Sequence, residues 1–432
     1  MKRGRDVNRM LWLNSKRKLG SRVLRIGLKG SDVLELQKRL GDLGYQPGPL
    51  DGIFSYLTQE ALQYFQRDYS LQIDGVAGKE VYSLLLCTHL PVNRRVHIVT
   101  EQQTLADIAK LYHIGKEAFR EFSKKRSLYA GQQLVFFDRQ VWGTKDESLL
   151  AKESMERNSV YLTGVVSPMA IDQKYKAALR SPTSSTIASL NVTPTNCLLE
   201  VHQFLVNRRR KKQCLQLLSQ SVGNVNGVYL PWCKLSRVDG RRYSKFVRQV
   251  RRVIGDKTLM TAFCVDMPRW NVFGGVDFAE LSRDVNQVVI RLPVRTNPQP
   301  QIDKQYLEPL IHEALRDIPC WKLLLEIPVY AFQYALADGQ QERKVLAYQV
   351  AMTKIFRQGA RAETDENQQL YYRCFEKGVE VHIRIPSIPQ LRSAIALVNR
   401  YNLAGVLLDS LGMEDKRLWS ILQGHFSIAK FL

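Results

Sequence analysis

The alternation of apolar and polar positions divides the chain into a helical N-terminal part and a longer part in which strands alternate with helices. In the N-terminal part, apolar side chains recur at helical spacing at Val33, Leu36, Leu40 and Leu43. After residue 158, short apolar runs typical of buried strands recur between helical patterns. These runs are residues 160–166, 228–230, 259–263, 288–292, 323–329, 381–383 and 405–408. The pattern predicts small helical units first and an α/β domain afterwards.

A short sequence repeat marks the first helical unit. Residues 50–55 recur 23 residues later as residues 73–78, and each copy contains an Asp-Gly step. Such steps form turns, because glycine accepts a positive φ and aspartate bonds its own backbone. Ser31 and Thr58 can cap the helices that follow. The sequence therefore predicts a compact three-helix unit over residues 22–88.

Glycines, glutamines and aromatic residues accompany this repeat at fixed places. They are Leu24, Gly27, Gly30, Gln37, Tyr45, Asp51, Gly52, Phe54, Thr58, Phe65, Gln66, Asp74 and Gly75. The pattern closely resembles the peptidoglycan-binding domain found on many wall hydrolases. The resemblance implies a shallow wall-binding face near the two turns, which we assign to Tyr45, Asp51, Gly52, Phe54, Asp74 and Gly75. The alternative for Asp51 and Asp74 is a purely structural role as turn formers.

A second module is predicted over residues 95–138, in the order strand, helix, helix, strand. Its motif comprises Thr104, Leu105, Ile108, Ala109, Tyr112, His113, Ile114, Gly131, Gln132 and Leu134, with Phe119 on the second helix. The motif resembles the LysM domain, which binds glycans containing N-acetylglucosamine, and implies glycan contacts by Thr104, Leu105 and Gln132. The loop residues 101–103 are Glu-Gln-Gln where LysM domains usually have Ser-Gly-Asp. The motif therefore supports the LysM fold more strongly than glycan binding.

The remaining residues, 158–432, suit a closed (β/α)₈ barrel. Residues 1–21 form a basic tail and residues 139–157 a linker in this division. The predicted fold is thus multidomain: a small all-α three-helix module, an α+β module with βααβ order, and an α/β barrel of the TIM type. The pattern does not locate the second and third strands of the barrel.

Three segments of the predicted barrel carry a further resemblance. They are Asn226-Gly227-Val228, residues 322–330 and residues 401–406. Together with the two modules upstream, they resemble the spore-cortex-lytic type of family 18 glycoside hydrolase. The resemblance implies wall-binding modules that precede a barrel acting on N-acetylglucosaminyl bonds.

The acids that this family uses are missing from the matching positions. The family's fourth strand ends in Asp-Gly-x-Asp-x-Asp-x-Glu, in which the Glu protonates the glycosidic oxygen. The matching positions hold Asn226, Tyr229, Pro231 and Cys233, and two supporting positions hold Pro293 and Asp409. On this ground the sequence predicts no catalytic residues and no enzyme. The expected protein is a non-catalytic peptidoglycan-binding protein whose barrel is a scaffold or an interaction surface.

Two alternatives stay open. Glu326 and Asp409 lie on predicted strands, where burial can raise a pKa and create a working acid. A lone strand acid can instead pair with a basic residue, and Arg291 and Arg384 are available. An active N-acetylglucosaminidase-type cortex hydrolase with displaced acids is the first alternative. A general binder of anionic polymers is the second.

The charge and the cysteine content limit the kinds of partner and metal site that the sequence predicts. The formal net charge of +22 favours an anionic partner. No basic run is interleaved with aromatic residues, so no specific nucleic acid is expected. The seven cysteines are scattered without a CxxC pair, which argues against a disulfide framework and a zinc site. Neither a metal nor a cofactor is predicted.

The N-terminal sequence bears on where the protein is found. It lacks an apolar run as long as a secretory signal requires, and no stretch is long enough to cross a bilayer. We therefore expect synthesis in the cytoplasm and no membrane partner. The family resemblance implies that the protein is synthesised in the cytoplasm of a mother cell and that it assembles on the spore cortex or coat. Peptidoglycan is the expected partner there, and other spore-envelope proteins are candidates.

Overall fold

The computed structural model divides into two compact units, residues 1–108 with 119–138 and residues 109–118 with 139–432. Its described residues are 17–43, 45–69, 71–86, 94–112, 114, 128–170, 185–192, 198–232, 235–236, 238–264, 276–292, 302–337, 340–364, 370–376 and 378–429. None of the described helices combines the length and apolar character needed to span a membrane.

Three short helices form the N-terminal module. They are α1 (Ser31–Asp42), α2 (Tyr56–Asp68) and α3 (Lys79–Leu85). The apolar stripe of α1 is buried, as its helical spacing predicts. The predicted caps are wrong by a few residues. Gly30 precedes α1, and Ser55 caps α2 by accepting a hydrogen bond from the backbone of Thr58.

The first Asp-Gly turn is held by a glutamine of α1. The Gln37 side-chain oxygen accepts a hydrogen bond from the Gly52 amide at 2.8 Å, and its nitrogen lies 3.3 Å from Asp51 Oδ1. Asp51 also accepts from the Ile53 amide at 2.9 Å. Gly52 has a φ of 69°, which a residue with a side chain adopts at a cost. One buried glutamine thus holds both residues of the turn.

The second turn repeats this arrangement with a glutamine of α2. The Gln66 oxygen accepts from the Gly75 amide at 2.8 Å, and its nitrogen donates to Asp74 Oδ1 at 2.7 Å. Asp74 accepts from the Val76 amide at 2.8 Å. The sequence repeat is therefore also a structural repeat, in which a helix glutamine fixes an Asp-Gly turn.

Replacing Gln37 with alanine is expected to loosen the first turn. The Gly52 amide would lose its partner in a buried place, which costs about 1–3 kcal/mol. Hydrogen exchange of the peptide around residue 52, followed by mass spectrometry, should accelerate about tenfold. The control is Gln72→Ala, since Gln72 is exposed. Equal exchange in both variants would contradict the role given to Gln37.

Two antiparallel strands lie in the region predicted as a LysM module. β1 (Arg94–Ile98) pairs with the first half of β2 (Gln133–Thr144), so that Arg94 is opposite Phe137. The helix α4 (Leu105–Leu111) follows β1 in the chain. The predicted second helix, with Phe119, lies outside the described residues. The LysM assignment therefore stays a prediction.

Eight parallel strands form a closed barrel in the second unit. They are the second half of β2, then β3 (Gly164–Ala170), β4 (Ser185–Asn191), β5 (Gly227–Leu230), β6 (Thr258–Cys264), β7 (Gln287–Arg291), β8 (Leu323–Pro328) and β14 (Gly405–Asp409). β2 closes the barrel, because it pairs with β3 on one side and with β14 on the other. The predicted barrel fold is confirmed.

Helices lie between the barrel strands along the chain and after the last one, and apolar side chains fill the interior. The helices are α5 (Leu149–Arg157), α6 (Leu198–Val206), α7 (Arg208–Ser221), α8 (Gly240–Ile254), α9 (Phe278–Asp284), α10 (Lys304–Asp317), α12 (Ile388–Arg400) and α13 (Arg417–His425). Each strand contributes at least one member of a buried apolar cluster, and we call the following members the inner apolar set: Trp142, Val166, Ile187, Tyr229, Met260, Val289, Leu324 and Leu407. The barrel is thus packed by side chains, not open as a pore.

A second, antiparallel sheet is inserted between β8 and α12. Its strands are β9 (Ala331–Ala337), β10 (Gln340–Leu346), β11 (Arg361–Thr364), β12 (Leu370–Glu376) and β13 (Val379–Arg384), with the helix α11 (Tyr348–Arg357) after β10. The order across the sheet is β10, β9, β13, β12, β11. Residues 381–383, predicted as a barrel strand, lie in this sheet instead. An apolar run alone does not reveal which sheet a strand joins.

The predicted linker, residues 139–157, is not a linker in the structure. It contains the first barrel strand, in which Val141 and Trp142 are fully buried, and the helix α5. The strand is continuous from Gln133 to Thr144, so one segment ends the β1 pairing and begins the barrel. The run predicted at 160–166 overlaps β3, and β4 is the third barrel strand.

Candidate active site

Three charged side chains stand at inner positions in the carboxyl-terminal halves of β7, β8 and β14. They are Arg291, Glu326 and Asp409. Each comes two residues after a member of the inner apolar set, and side chains two residues apart on a strand share a face. The carboxyl ends of the strands form the face on which (β/α)₈ barrels carry their active sites. This mouth is therefore the candidate active site.

Glu326 is buried and bonded on both carboxylate oxygens. Arg291 Nε donates to Oε1 at 2.8 Å, and the Leu292 amide donates to Oε2 at 3.0 Å. The side chain of Arg291 also reaches the Pro231 carbonyl at 3.3 Å. Burial raises the pKa of Glu326, the Arg291 charge opposes the rise, and the Asp409 charge adds to it. Glu326 is thus a carboxyl group that holds its proton more firmly than an exposed one.

Asp409 stands beside Glu326 in a different environment. Thr144 Oγ1 donates to Asp409 Oδ1 at 2.7 Å, and the Asp409 carbonyl accepts from the Val329 amide at 2.8 Å. Burial and the negative charges of Asp409 and Glu326 raise the pKa of Tyr330, which keeps its phenol protonated. The mouth therefore contains a buried carboxyl, a second carboxyl with a hydroxyl donor, and a phenol.

The positions where the resembled family has its acids lie on and around β5. Asn226 precedes the strand, and its side-chain oxygen accepts from the Thr186 amide at 3.0 Å, at the amino end of the barrel. Tyr229 is part of the inner apolar set, and Pro231 is buried just beyond the strand. Cys233 lies outside the described residues, as does Pro293. Pattern reasoning already gave Glu326 and Asp409 as candidates, and the structure brings these two together.

The residues predicted for peptidoglycan contact do not form one exposed face. Tyr45 is 4% exposed and Phe54 is 1% exposed, so both belong to the core of the module, where Tyr45 packs edge-on against Phe65. This corrects the prediction, because a binding aromatic residue must be accessible. The glycines of the two turns are also buried.

Asp51 and Asp74 act in the structure as turn formers, since each accepts a hydrogen bond from the backbone two residues later. Tyr56, 69% exposed, and Leu50, 56% exposed, are accessible apolar side chains beside the first turn in sequence. The sequence contained a signal for Tyr56. Helical spacing puts it opposite the inward residues of α2.

The residues predicted to hold glycan in the second module are engaged locally. Thr104 Oγ1 donates to the Asp107 carboxylate at 2.6 Å, and the Asp107 amide lies 3.3 Å from Thr104 Oγ1. The Gln132 side chain accepts from the Tyr129 amide at 3.2 Å. Leu105 is half-buried at the start of α4. These contacts shape the ends of the module, and glycan binding by these residues stays a prediction.

Comparison with known proteins identifies the N-terminal module. Residues 29–85 match the family described as "Putative peptidoglycan binding domain". A spore cortex-lytic enzyme of Oceanobacillus iheyensis is 46% identical over 57 residues, 13% of this chain and 21% of that protein. The amidase CwlM of Mycobacterium tuberculosis is 46% identical over 67 residues, 15% of this chain and 16% of that protein. The match thus spans about a fifth of the length of these curated relatives.

Solved structures resemble the chain over a much larger part. The spore cortex-lytic enzyme SleL of Bacillus megaterium QM B1551 has a TM-score of 0.59 at 14% identity, over 78% of this chain and 87% of that one. SleL of Bacillus cereus has a TM-score of 0.57 at 15% identity, over 95% of this chain and 99% of that one. A chitinase of Chromobacterium violaceum has a TM-score of 0.55 at 16% identity, over 66% of this chain and 98% of that one.

These comparisons correct the prediction that the chain is not an enzyme. Several relatives matched over the N-terminal module are named spore cortex-lytic enzymes, and solved structures that share the fold are SleL proteins and a chitinase. The prediction rested on the residues at the family's acid positions, Asn226, Tyr229, Pro231 and Cys233, and at two supporting positions, and it kept Glu326 and Asp409 only as an alternative. The chain therefore joins a peptidoglycan-binding domain to a barrel with the fold of spore cortex-lytic enzymes and chitinases.

Proposed function

We propose that this protein is a peptidoglycan-directed glycosidase whose barrel uses displaced acids. The N-terminal module holds the wall polymer, and the barrel mouth hydrolyses N-acetylglucosaminyl bonds. The observation that carries the proposal is the buried carboxyl of Glu326 beside Asp409 at the barrel mouth. Synthesis in a mother cell and assembly on the spore cortex belong to the same proposal.

Glu326 is the general acid in this proposal. A leaving alkoxide must receive a proton, and burial raises the pKa of Glu326, which favours its protonated form compared with an exposed carboxyl group. Arg291 holds one carboxylate oxygen at 2.8 Å and so fixes the side chain in place. It is a positioning residue, because it acts on substrate through Glu326. A ligand that draws Arg291 away would raise the pKa of Glu326 further.

Asp409 is the base that activates water. Its position is two residues beyond Leu407, the residue that pairs with Glu326 across the parallel strands. Strand geometry separates the Cα atoms of Glu326 and Asp409 by about 8 Å. Glycosidases that place a water between an acid and a base have carboxyl groups roughly 6.5–9.5 Å apart. The Cα spacing of about 8 Å gives the two side chains room to place their carboxyl groups at such a distance, as an acid and a base with water between them require.

The modules upstream deliver the barrel to its polymer. We propose binding units at residues 22–88 and 95–138, the second as a LysM module. The strand β2 (Gln133–Thr144) begins in the second of these units and continues along the chain into the barrel domain. Other proteins of the spore envelope are candidate partners of this assembly.

We expect residues 22–138, expressed alone, to sediment with insoluble peptidoglycan even in about 1 M salt, where the Debye length is roughly 3 Å. Replacing the exposed Tyr56 with alanine should weaken this binding about two- to tenfold, the range that one aromatic contact provides. The full-length protein should behave in the same way.

The matched control in the full-length protein is Phe356→Ala, because Phe356 is 76% exposed on a helix of the barrel domain. It should bind peptidoglycan like the wild type. Loss of all binding at high salt, in the fragment and in the full chain, would contradict the proposed role of the N-terminal modules.

A further inference from the structure

Two consecutive helices on the outside of the barrel carry an unusual concentration of positive charge. α7 contains five basic residues and no acidic residue within Arg208–Ser221. α8 contains six basic residues and no acidic residue within Gly240–Ile254. The buried face of α8 includes Phe246 and Val250, so its charges lie on the side turned away from the core.

These two helices enclose a groove of about 980 Å³, which we call the basic groove. Its charged lining is Arg208, Lys211, Lys212, Arg242 and Lys245. No carboxylate lines this groove among the residues that the structure describes. Burial lowers the pKa of Lys211, and the nearby charges of Lys245, Arg208 and Arg242 lower it further. The cations thus repel one another in the absence of an anion.

Three of these five cations form no salt bridge with the described residues, and Lys211 donates to the Leu205 carbonyl at 2.7 Å. Within the described part of the chain, no carboxylate lies within 4.0 Å of Arg208, Lys212 or Lys245. Arg242 differs, because it pairs with Asp239 at 3.0 Å. On the far side of α8, Arg248 pairs with Asp284 at 3.1 Å. Salt bridges therefore neutralise Arg242 and Arg248 of α8, whereas the remaining cations keep the basic groove positive.

The groove also has apolar walls, which help to define its ligand. Leu205, Val206, Leu215 and Val253 line it together with the cations. The aromatic residues on the described parts of α6 to α8 are buried, so none is available to stack on a nucleic-acid base. Carboxylates carried on short aliphatic residues match both features, and the peptide substituents of peptidoglycan have this chemistry.

We propose that the basic groove between α7 and α8 binds the carboxylate-bearing peptides of peptidoglycan. It is a second wall contact, on the outside of the barrel, separate from the N-terminal module. This inference rests on the proposed function, since it assumes that the chain meets peptidoglycan. The groove binds the peptide part of the polymer, whereas the barrel mouth acts on the sugar part.

The test compares two full-length variants with the same change in charge. Arg208→Gln, Lys212→Gln and Lys245→Gln together neutralise the groove. Arg157→Gln, Arg357→Gln and Lys416→Gln together remove three exposed cations elsewhere. Glutamine preserves helix propensity, so neither set should disturb folding. Binding is measured on purified peptidoglycan, on peptidoglycan with amidated carboxyl groups, on soluble wall peptides and on a DNA duplex, all at low salt.

We expect the groove variant to bind native peptidoglycan and soluble wall peptides about tenfold more weakly than the wild type, and the control variant less than twofold more weakly. Amidation of the polymer should remove this difference. Equal losses in both variants, or a groove effect that survives amidation, would overturn the proposal. A groove effect seen with DNA and not with wall peptides would overturn it in favour of nucleic acid.

Failure of the proposed function would look different. In that case the wild type itself would not bind native peptidoglycan at high salt or would not cleave it, whatever the groove variant does. The comparison with soluble wall peptides does not depend on the N-terminal module or on cleavage. It therefore tests the groove by itself.

Discussion

Replacing Glu326 with glutamine is expected to reduce the release of peptidoglycan fragments about 10²- to 10⁴-fold, the usual contribution of a general acid. Glutamine has the shape of the carboxyl but no proton to give to the leaving oxygen. The Leu292 amide retains an acceptor in this variant, because the amide oxygen can take the place of Oε2. Release of soluble muropeptides per hour measures the effect, and Asp409→Asn should lower it as well.

The pH dependence of activity follows from the direction in which burial shifts the pKa of Glu326. Burial raises the pKa of Glu326 above its ordinary value of 4.5, so activity should decline as pH rises through the raised pKa. The free energy of unfolding should depend on pH in the same direction. The protonated carboxyl suits the buried place, so its contribution is fully present below the ordinary pKa and is lost as pH rises through the raised one. The Glu326→Gln variant should lack this part of the pH dependence of unfolding.

Loss of activity in Glu326→Gln must be separated from loss of fold, because Arg291 would lose a charged partner. Arg291 is partly exposed, with 32% of its side chain accessible, so solvent moderates that loss. Peptidoglycan binding at high salt and the thermal midpoint report on folding. Glu313→Gln, on an exposed part of α10, is the matched control. Wild-type activity in Glu326→Gln would refute its role as the acid.

Replacing Trp142 with alanine should destabilise the barrel by about 3–5 kcal/mol, the typical cost of removing a large buried aromatic side chain. Trp142 is fully buried in the inner apolar set, and its indole nitrogen donates to Gln140 at 2.8 Å. It lies on β2, the strand that closes the barrel between β3 and β14. Its loss should therefore weaken the packing of β2 beside both of its neighbours, β3 and β14.

Urea unfolding followed by circular dichroism measures this change, with Phe356→Ala as the control because that side chain is 76% exposed. The control should change stability by less than about 0.5 kcal/mol. A Trp142→Ala variant as stable as the control would mean that residues 139–144 are a linker, as the sequence pattern first indicated. It would contradict the eight-stranded closure.

Local sequence patterns predicted the structure correctly where a single helix or strand determines the burial or pairing of its own side chains. The helical spacing at Val33 and Leu36 predicts a buried face, and both residues are buried. The sequence offered Arg291 or Arg384 as the partner of an acid on a buried strand, and in the structure Glu326 pairs with Arg291. In both cases the physical requirement is satisfied by neighbouring residues or by a single strong interaction.

Local sequence patterns gave wrong predictions where contacts with distant parts of the chain determine which residues are buried. Tyr45 and Phe54 looked like binding residues, yet both are buried in the core of the module, where Tyr45 packs against Phe65. Residues 139–144 looked like a linker, because the short polar stretch at Asp138 to Gln140 interrupts their apolar pattern. In the structure Arg139 is buried and reaches Asn399 and the Leu403 carbonyl, 264 positions away at most. No local window contains that information.

Digestion of purified cortex peptidoglycan by the full-length wild-type protein tests the central claim most directly. Soluble fragments are identified by chromatography and mass spectrometry, and new reducing ends are counted against a boiled sample. We expect fragments cut at N-acetylglucosaminyl bonds from the wild type and none from Glu326→Gln. A wild-type protein that binds this peptidoglycan at high salt and yet releases nothing above the boiled sample would contradict the claim.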